Sequence, residues 1–188
     1  MKVFKMKKSK TKMLILSALF AALTAVGAFI KIPIPFVPVT MQVMFVSFAA
    51  ILLGPYYGAL SQLVYIFTGL SGIPVFAKGG GFTYVFQPSF GFLIGFVFAA
   101  YAIGRIFEIL KEASFKNIFI AVVSGQVVIY ATGLPYLYMM NNYYLSQPLP
   151  LDKIFYLGFS LFAVSGMLTA LVVSYISAAI YRRTKLFV

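Results

Sequence analysis

The sequence predicts an all-α integral membrane protein, a compact bundle of six transmembrane helices forming a single domain. Both termini are expected to be cytoplasmic, with irregular loops on the outer face. Three observations lead there. Of the 188 residues, 62% are apolar, 18% aromatic and only 10% charged, a composition foreign to water-soluble domains. Apolar runs approaching the length needed to cross ~30 Å of hydrocarbon recur along the chain. Lys and Arg gather in alternate connections, as they do on the cytoplasmic side of membrane proteins.

Taken in order, the basic stretch 1–12, MKVFKMKKSKTK, precedes a first apolar run at 13–30. Its eighteen residues exceed a signal-peptide core, so it reads as a retained span rather than a cleaved leader. Pro33, Pro35 and Pro38 then forbid regular helix and favour extended backbone. Two shorter runs follow, 41–54 and 56–70, separated at GPYYG (Gly54–Gly58). At about 14 residues each they reach roughly 21 Å. They cross by borrowing flanking residues, or they form a re-entrant hairpin. Residues 71–87 are rich in Gly and turn signals and read as a loop. Pro88 is well placed to open a fourth span, 88–107. A polar connector leads to a fifth at 118–140 and a sixth at 154–181, long enough that it must tilt or project.

Six spans put both termini on one side. That side would carry Lys2, Lys5, Lys7, Lys8, Lys10, Lys12, Arg105, Lys111, Lys116, Arg182, Arg183 and Lys185; the other carries Lys31, Lys78 and Lys153. The asymmetry makes the first side cytoplasmic, and a four-span arrangement would leave this unchanged. Fifteen basic residues against three acids would indicate nucleic acid in a soluble chain. Here the apolar background points to the lipid bilayer as partner, and no nucleic acid is expected.

The outer connections 31–40, 71–87 and 141–153 are the longer and more irregular ones, and binding usually sits on such loops. Each carries one lysine. Lys31, Lys78 and Lys153 either snorkel singly to the headgroups or converge on a small carboxylate ligand. Asp152 follows Pro150 and precedes a helix, a good N-cap position; alternatively it accepts N–H donors from a ligand. Gln42, Gln62, Gln87, Gln126, Asn141 and Asn142 interrupt apolar runs, and an unpartnered amide in hydrocarbon is costly, so they face the bundle or a cavity. Gln62 suits a helix–helix hydrogen bond. Phe36 and Tyr84 lie near the expected outer face. Ser17, Ala21 and Ala25, with Ala18 and Ala22 beside them, make a smooth stripe on the first helix, and Gly91 and Gly95 make another in GFLIG. Each either packs within the bundle or docks a separate membrane subunit.

The chain contains no Cys and no His, which removes disulfides, thiolate nucleophiles and imidazole metal or proton-relay sites. No metal or cofactor site and no catalytic group is expected. KGGGF lacks the Lys-Ser/Thr ending of a phosphate-binding loop, so the chain cannot use ATP by itself. Paired intramembrane carboxylates for ion coupling are missing as well.

Four stretches in this order carry a resemblance: VPVTMQ (Val37–Gln42), LLGPYYGALSQLVYIFTGLSGIPVFAKGGG (Leu52–Gly81), QPSFGFLIGF (Gln87–Phe96) and GQVVIYATGLPYL (Gly125–Leu137). The chain resembles the BioY family, the biotin-specific substrate-binding components, or S components, of energy-coupling factor (ECF) transporters. The resemblance implies a six-helix protein of the cell membrane that captures biotin from outside, not an enzyme. It implies as partners a transmembrane coupling subunit and two cytoplasmic ATPases. A stand-alone carrier for biotin or a related carboxylate is the alternative. Ala18 and Ala22 match the family's small-residue docking motif, and the loops after helices 1 and 3 are implied to cover the substrate. For the ligand the resemblance favours Asp152 toward the ureido N–H groups and Gln42, Asn141 or Gln126 toward its carbonyl. Thr40 is counted among the ligand-binding candidates as well. Tyr84 and Phe36 are expected against the rings, and Lys78, Lys153 or Lys31 at the carboxylate. Family members often carry Lys three positions after the Asp, where this chain has Phe155, and Asn where it has Gln126.

Overall fold

The computed structural model describes residues 9–33, 37–145, 150–156, 159 and 161–183, without the side chains of 161 and 162. Among them the chain is almost wholly helical. Helix α1, Lys10–Phe29, turns Met13, Ser17, Phe20, Ala21, Thr24 and Gly27 inward, the three-to-four spacing of a helix with one packed face. Its opposite face presents Leu14, Ile15, Leu19 and Val26, each more than half exposed. The same holds for Val164, Leu168 and Tyr175 on the last helix. Apolar surface this continuous is unstable in water and is what a bilayer solvates.

After α1, strand β1 (Lys31–Ile32) pairs antiparallel with β2 (Val39–Thr40), Lys31 opposite Thr40. Helices α2 (Gln42–Leu53) and α3 (Pro55–Leu70) meet at Gly54, whose φ of +86° only glycine adopts at ease. Pro55 then starts α3, where its missing amide hydrogen is no loss. The two helices lie close: a Cβ on Gly58 would come within 2.8 Å of Ala50 Cα. Residues 71–87 are not all loop, because Phe82–Phe86 form a 3-10 turn.

Helix α4 runs Phe90–Leu110 and α5 runs Phe115–Met139. Pro88 does not open α4; the Gln87 carbonyl accepts from Phe90 N at 2.9 Å, so Pro88 sits in a turn and Ser89 is the cap residue. Lys111, at φ +58°, ends α4, and Ser114 caps α5 by accepting from Asn117 N at 3.3 Å. Helix α5 continues through Pro135 into a π-helical turn, Met140–Tyr144. The run expected as one helix at 154–181 is described as two pieces, α6 (Leu151–Phe155) and α7 (Leu161–Arg183). Among the described residues four helices, α1, α4, α5 with its extension and most of α7, are long and apolar enough to cross a membrane.

The α4/α5 seam answers what GFLIG is for. A Cβ on Gly91 would lie 2.2 Å from Tyr136 Cβ, and one on Gly95 would lie 2.3 Å from Thr132 Oγ1. In return, Gly133 on α5 receives the Phe92 ring, 2.5 Å from where a Cβ would stand. The motif packs inside the bundle. On α1 the two rows part: Ser17 and Ala21 face inward while Ala18 and Ala22 are exposed. Gln62, fully buried on α3, donates through Nε2 to Thr24 Oγ1 on α1 at 3.3 Å, a contact worth about 1 kcal/mol in a membrane. At the end of the bundle holding Gly54, Tyr181 Oη donates to the Ile51 carbonyl at 2.9 Å and ties α7 to α2.

Candidate functional site

The opposite end, where α1 and α3 terminate, contains a cavity of about 670 Å³, part of it open to solvent. The 31–40 hairpin contributes Val37 to Thr40, α2 contributes Gln42 and Val43, and the 71–87 segment contributes Ala77 and Tyr84. The far wall comes from α4 (Phe92, Leu93, Phe96), α5 (Gln126, Ile129, Tyr130) and α7 (Ser165, Gly166, Thr169). It is mostly apolar, with a few polar groups on opposite sides.

Two amides are held with defined directions. Gln42 Oε1 accepts from Thr40 Oγ1 at 2.8 Å, and its Nε2 donates to Tyr65 Oη at 2.8 Å. The Tyr65 hydroxyl donates in turn to the carbonyl of Val75 at 3.1 Å. Across the cavity Gln126 Nε2 donates to the Gly166 carbonyl at 2.6 Å. Gly166 is required there, since a Cβ would come within 2.8 Å of Gln126 Oε1 and 3.0 Å of Tyr130 Oη. With Nε2 committed to α7, Gln126 keeps Oε1 as its acceptor.

The 71–87 segment is fastened over α3 by aromatic packing. Tyr65 and Phe76 meet edge to face with centroids 5.4 Å apart, and Phe76 and Tyr84 at 4.4 Å. Gly69 makes room for the Phe76 ring, which a Cβ would approach to 2.0 Å. Tyr84 Oη lies 3.4 Å from Ser89 Oγ, and burial pushes its phenol upward while Ser89 and the Lys78 backbone pull it down. Lys31 Nζ donates to the Ala77 carbonyl, linking the hairpin to this segment. Lys78 is partly buried, and desolvation, then repulsion from Lys31, lowers its ammonium below its usual 10.5. Tyr136 Oη on α5 donates to the Val85 carbonyl, and Tyr144, in the turn that extends α5, stacks on Phe86.

Among the expected site residues, Thr40, Gln42, Tyr84 and Gln126 line the cavity together. Lys78 is next to the lining residue Ala77 and close to Lys31. Asp152 does not line it: it is exposed on the short helix α6, as is Lys153. Nor is Asp152 the cap of that helix; Pro150 occupies the cap position and no side-chain cap bond forms, because the helix starts one residue before Asp152. The one ion pair among the described residues joins Arg105 and Glu108 at 3.1 Å. Asn141 is fully buried outside the cavity wall, with Nδ2 donating to the Leu137 carbonyl at 2.9 Å. Phe36 lies outside the described residues. Sequence reasoning missed the polar pair Ser165 and Thr169, whose spacing of four puts them on one face of an apolar helix. It missed Ser89 and Tyr65 too.

The comparisons with known proteins converge. The family model described as BioY family matches residues 4–186. A probable biotin transporter of Lysinibacillus sphaericus is 44% identical over 177 residues, covering 94% of this chain and 90% of that protein. A biotin transporter of Thermotoga maritima is 40% identical over 133 residues, covering 70% of this chain and 76% of that one. Among solved structures, the crystal structure of the S-component for biotin from an ECF-type ABC transporter superposes with a TM-score of 0.80 at 25% identity, covering 97% of this chain and 98% of that one.

Proposed function

The chain belongs to the BioY family, and from that premise we propose that it is the S component for biotin of an ECF-type transporter. The supporting observation is the near full-length likeness to biotin transporters in a chain with a walled cavity beneath two covering segments. In this reading biotin enters between the 31–40 hairpin and the 71–87 segment. Its bicyclic ring rests on Phe92, Phe96 and Tyr84. The ureido carbonyl accepts from the free Nε2 hydrogen of Gln42, and a ureido N–H group donates to Gln126 Oε1. The valeryl carboxylate lies near Lys78 and Lys31, whose mutual repulsion an anion relieves. Asp152, Lys153 and Asn141 are carried by the resemblance alone, at the start of α6 and the end of α5.

The topology we favour has six spans, with α2 and α3 crossing as a packed pair, and both termini in the cytoplasm on the strength of the lysine and arginine asymmetry. Energy would come from a coupling subunit and two ATPases, with the exposed Ala18 and Ala22 as the docking stripe. Uptake by the purified chain alone in liposomes would replace this with the stand-alone carrier.

Direct titration of detergent-solubilised protein with biotin tests the reading. Saturable binding, weakened more than tenfold by Gln42→Ala (about 1.4 kcal/mol or more), is expected. No binding by the intact chain would sink the substrate assignment. Asp152→Asn, run in the same titration, decides whether that carboxylate reaches the ligand.

A further inference from the structure

Resting on the biotin reading, we propose that Tyr65 is the residue that sets which way the Gln42 amide faces, and so which ligand polarity the cavity accepts. A glutamine amide is ambiguous: rotated by half a turn it offers a carbonyl where it offered N–H groups. The hydrogen-bond chain removes that ambiguity. Its far end is the Val75 backbone carbonyl, which can only accept. Tyr65 Oη, 3.1 Å away, must therefore donate to it. A hydroxyl has one hydrogen, so towards Gln42 Tyr65 can only accept. The group 2.8 Å from it is consequently Nε2 and not Oε1, in agreement with Thr40 Oγ1 donating to Oε1 on the other side at 2.8 Å. One Nε2 hydrogen remains for the cavity, and it calls for an acceptor on the ligand.

The direction originates in the covering segment, because Val75 belongs to 71–87. With that segment in place the site prefers a carbonyl over a donor at this position. If it lifts, Tyr65 is free to donate to Gln42 and the preference is lost. Tyr65 is thus a positioning residue: it does not line the cavity, and it acts through Gln42.

The test compares two ligands of nearly the same shape, biotin and its cyclic guanidinium analogue, in which a protonated imino group replaces the ureido oxygen. The ratio of their Kd values reads the polarity at Gln42, which a purely structural role for Tyr65 would leave alone. In the wild type biotin is expected to bind at least tenfold better. Tyr65→Phe should weaken biotin about tenfold and reduce the ratio to near one, since one lost hydrogen bond and one freed amide are involved. Incorporating 4-aminophenylalanine at position 65 keeps a donor for Val75 but offers Gln42 no good acceptor, so the ratio should fall while the melting temperature holds. This second variant carries the test if Tyr65→Phe does not fold. A wild-type ratio in either folded variant would overturn the proposal. A wild type that binds biotin with no preference would overturn it too, whereas one that binds no biotin sinks the underlying function.

Discussion

Lys31 donates from its ammonium to the backbone carbonyl of Ala77, so the hairpin after α1 and the segment after α3 are fastened to each other above the cavity. A charge-assisted bond of this kind contributes about 1.5–3 kcal/mol at most where it is shielded, and less at a wet edge. Lys31→Met keeps the aliphatic stem and removes the donor. Release of bound radiolabelled biotin, followed by chase with unlabelled ligand, should accelerate about fivefold, an effect of about 1 kcal/mol, with association little changed. An unaltered release rate would show that the two segments close independently.

The lowered ammonium of Lys78 makes capture depend on pH on the alkaline side. Below its lowered value Lys78 is charged and, in the proposed reading, would meet the biotin carboxylate; above it the charge is gone. Affinity should therefore fall as pH rises towards 10.5, the usual value for lysine. The ligand-free protein should move the other way. Its folded state binds fewer protons than the unfolded chain in that window, so its stability rises with pH. Titrations at several pH values, with and without Lys78→Met, check both signs. A slope that survives in the variant would assign the effect to another group.

Gly95→Leu should unfold the bundle before it alters the ligand. The new side chain would be driven into Thr132 and the α5 backbone at Ile129, and overpacking of this kind costs about 1–3 kcal/mol or more. Thermal unfolding in detergent should show a clear drop in Tm, while Leu19→Ala on the lipid-facing side of α1 should change it little. Equal effects would mean that the seam can relax.

Ala18→Leu combined with Ala22→Leu places two bulky side chains on an exposed stripe that touches no part of the cavity. Biotin binding by the isolated chain should stay within about twofold, under half a kcal/mol. Uptake by cells supplying the coupling and ATPase subunits should collapse. Full uptake would move the docking surface elsewhere.

How much of this was legible beforehand differs by region. Helices α1 to α5 were, because Gly54-Pro55 and the prolines after α1 punctuate long apolar runs, and each run needs only length and hydropathy to be read. The separation of 31–40 and 71–87 from the body was legible too, since Pro and Gly exclude regular helix. The cavity wall was less so. Phe92, Phe96 and Ile129 look like any lipid-facing residue until their helices are rotated into place, and Gly166 is visible as a wall only once Gln126 is seen bonded across to it. Asp152 drew attention because acids are rare here, yet rarity reports composition and not direction. Tyr65 was hidden for the opposite reason, as one of thirteen tyrosines.

The reciprocal fit of Tyr136 over Gly91 and Phe92 over Gly133 has a mechanical meaning. Each helix supplies both a pin and a socket, so sliding one past the other by a single turn, about 5.4 Å, would set ring against ring. Helices α4 and α5 form a fixed jaw. Any widening that lets a ligand go would come from the parts facing that jaw: the 31–40 hairpin and the 71–87 segment above the cavity, α2 on one side and α7 on the other.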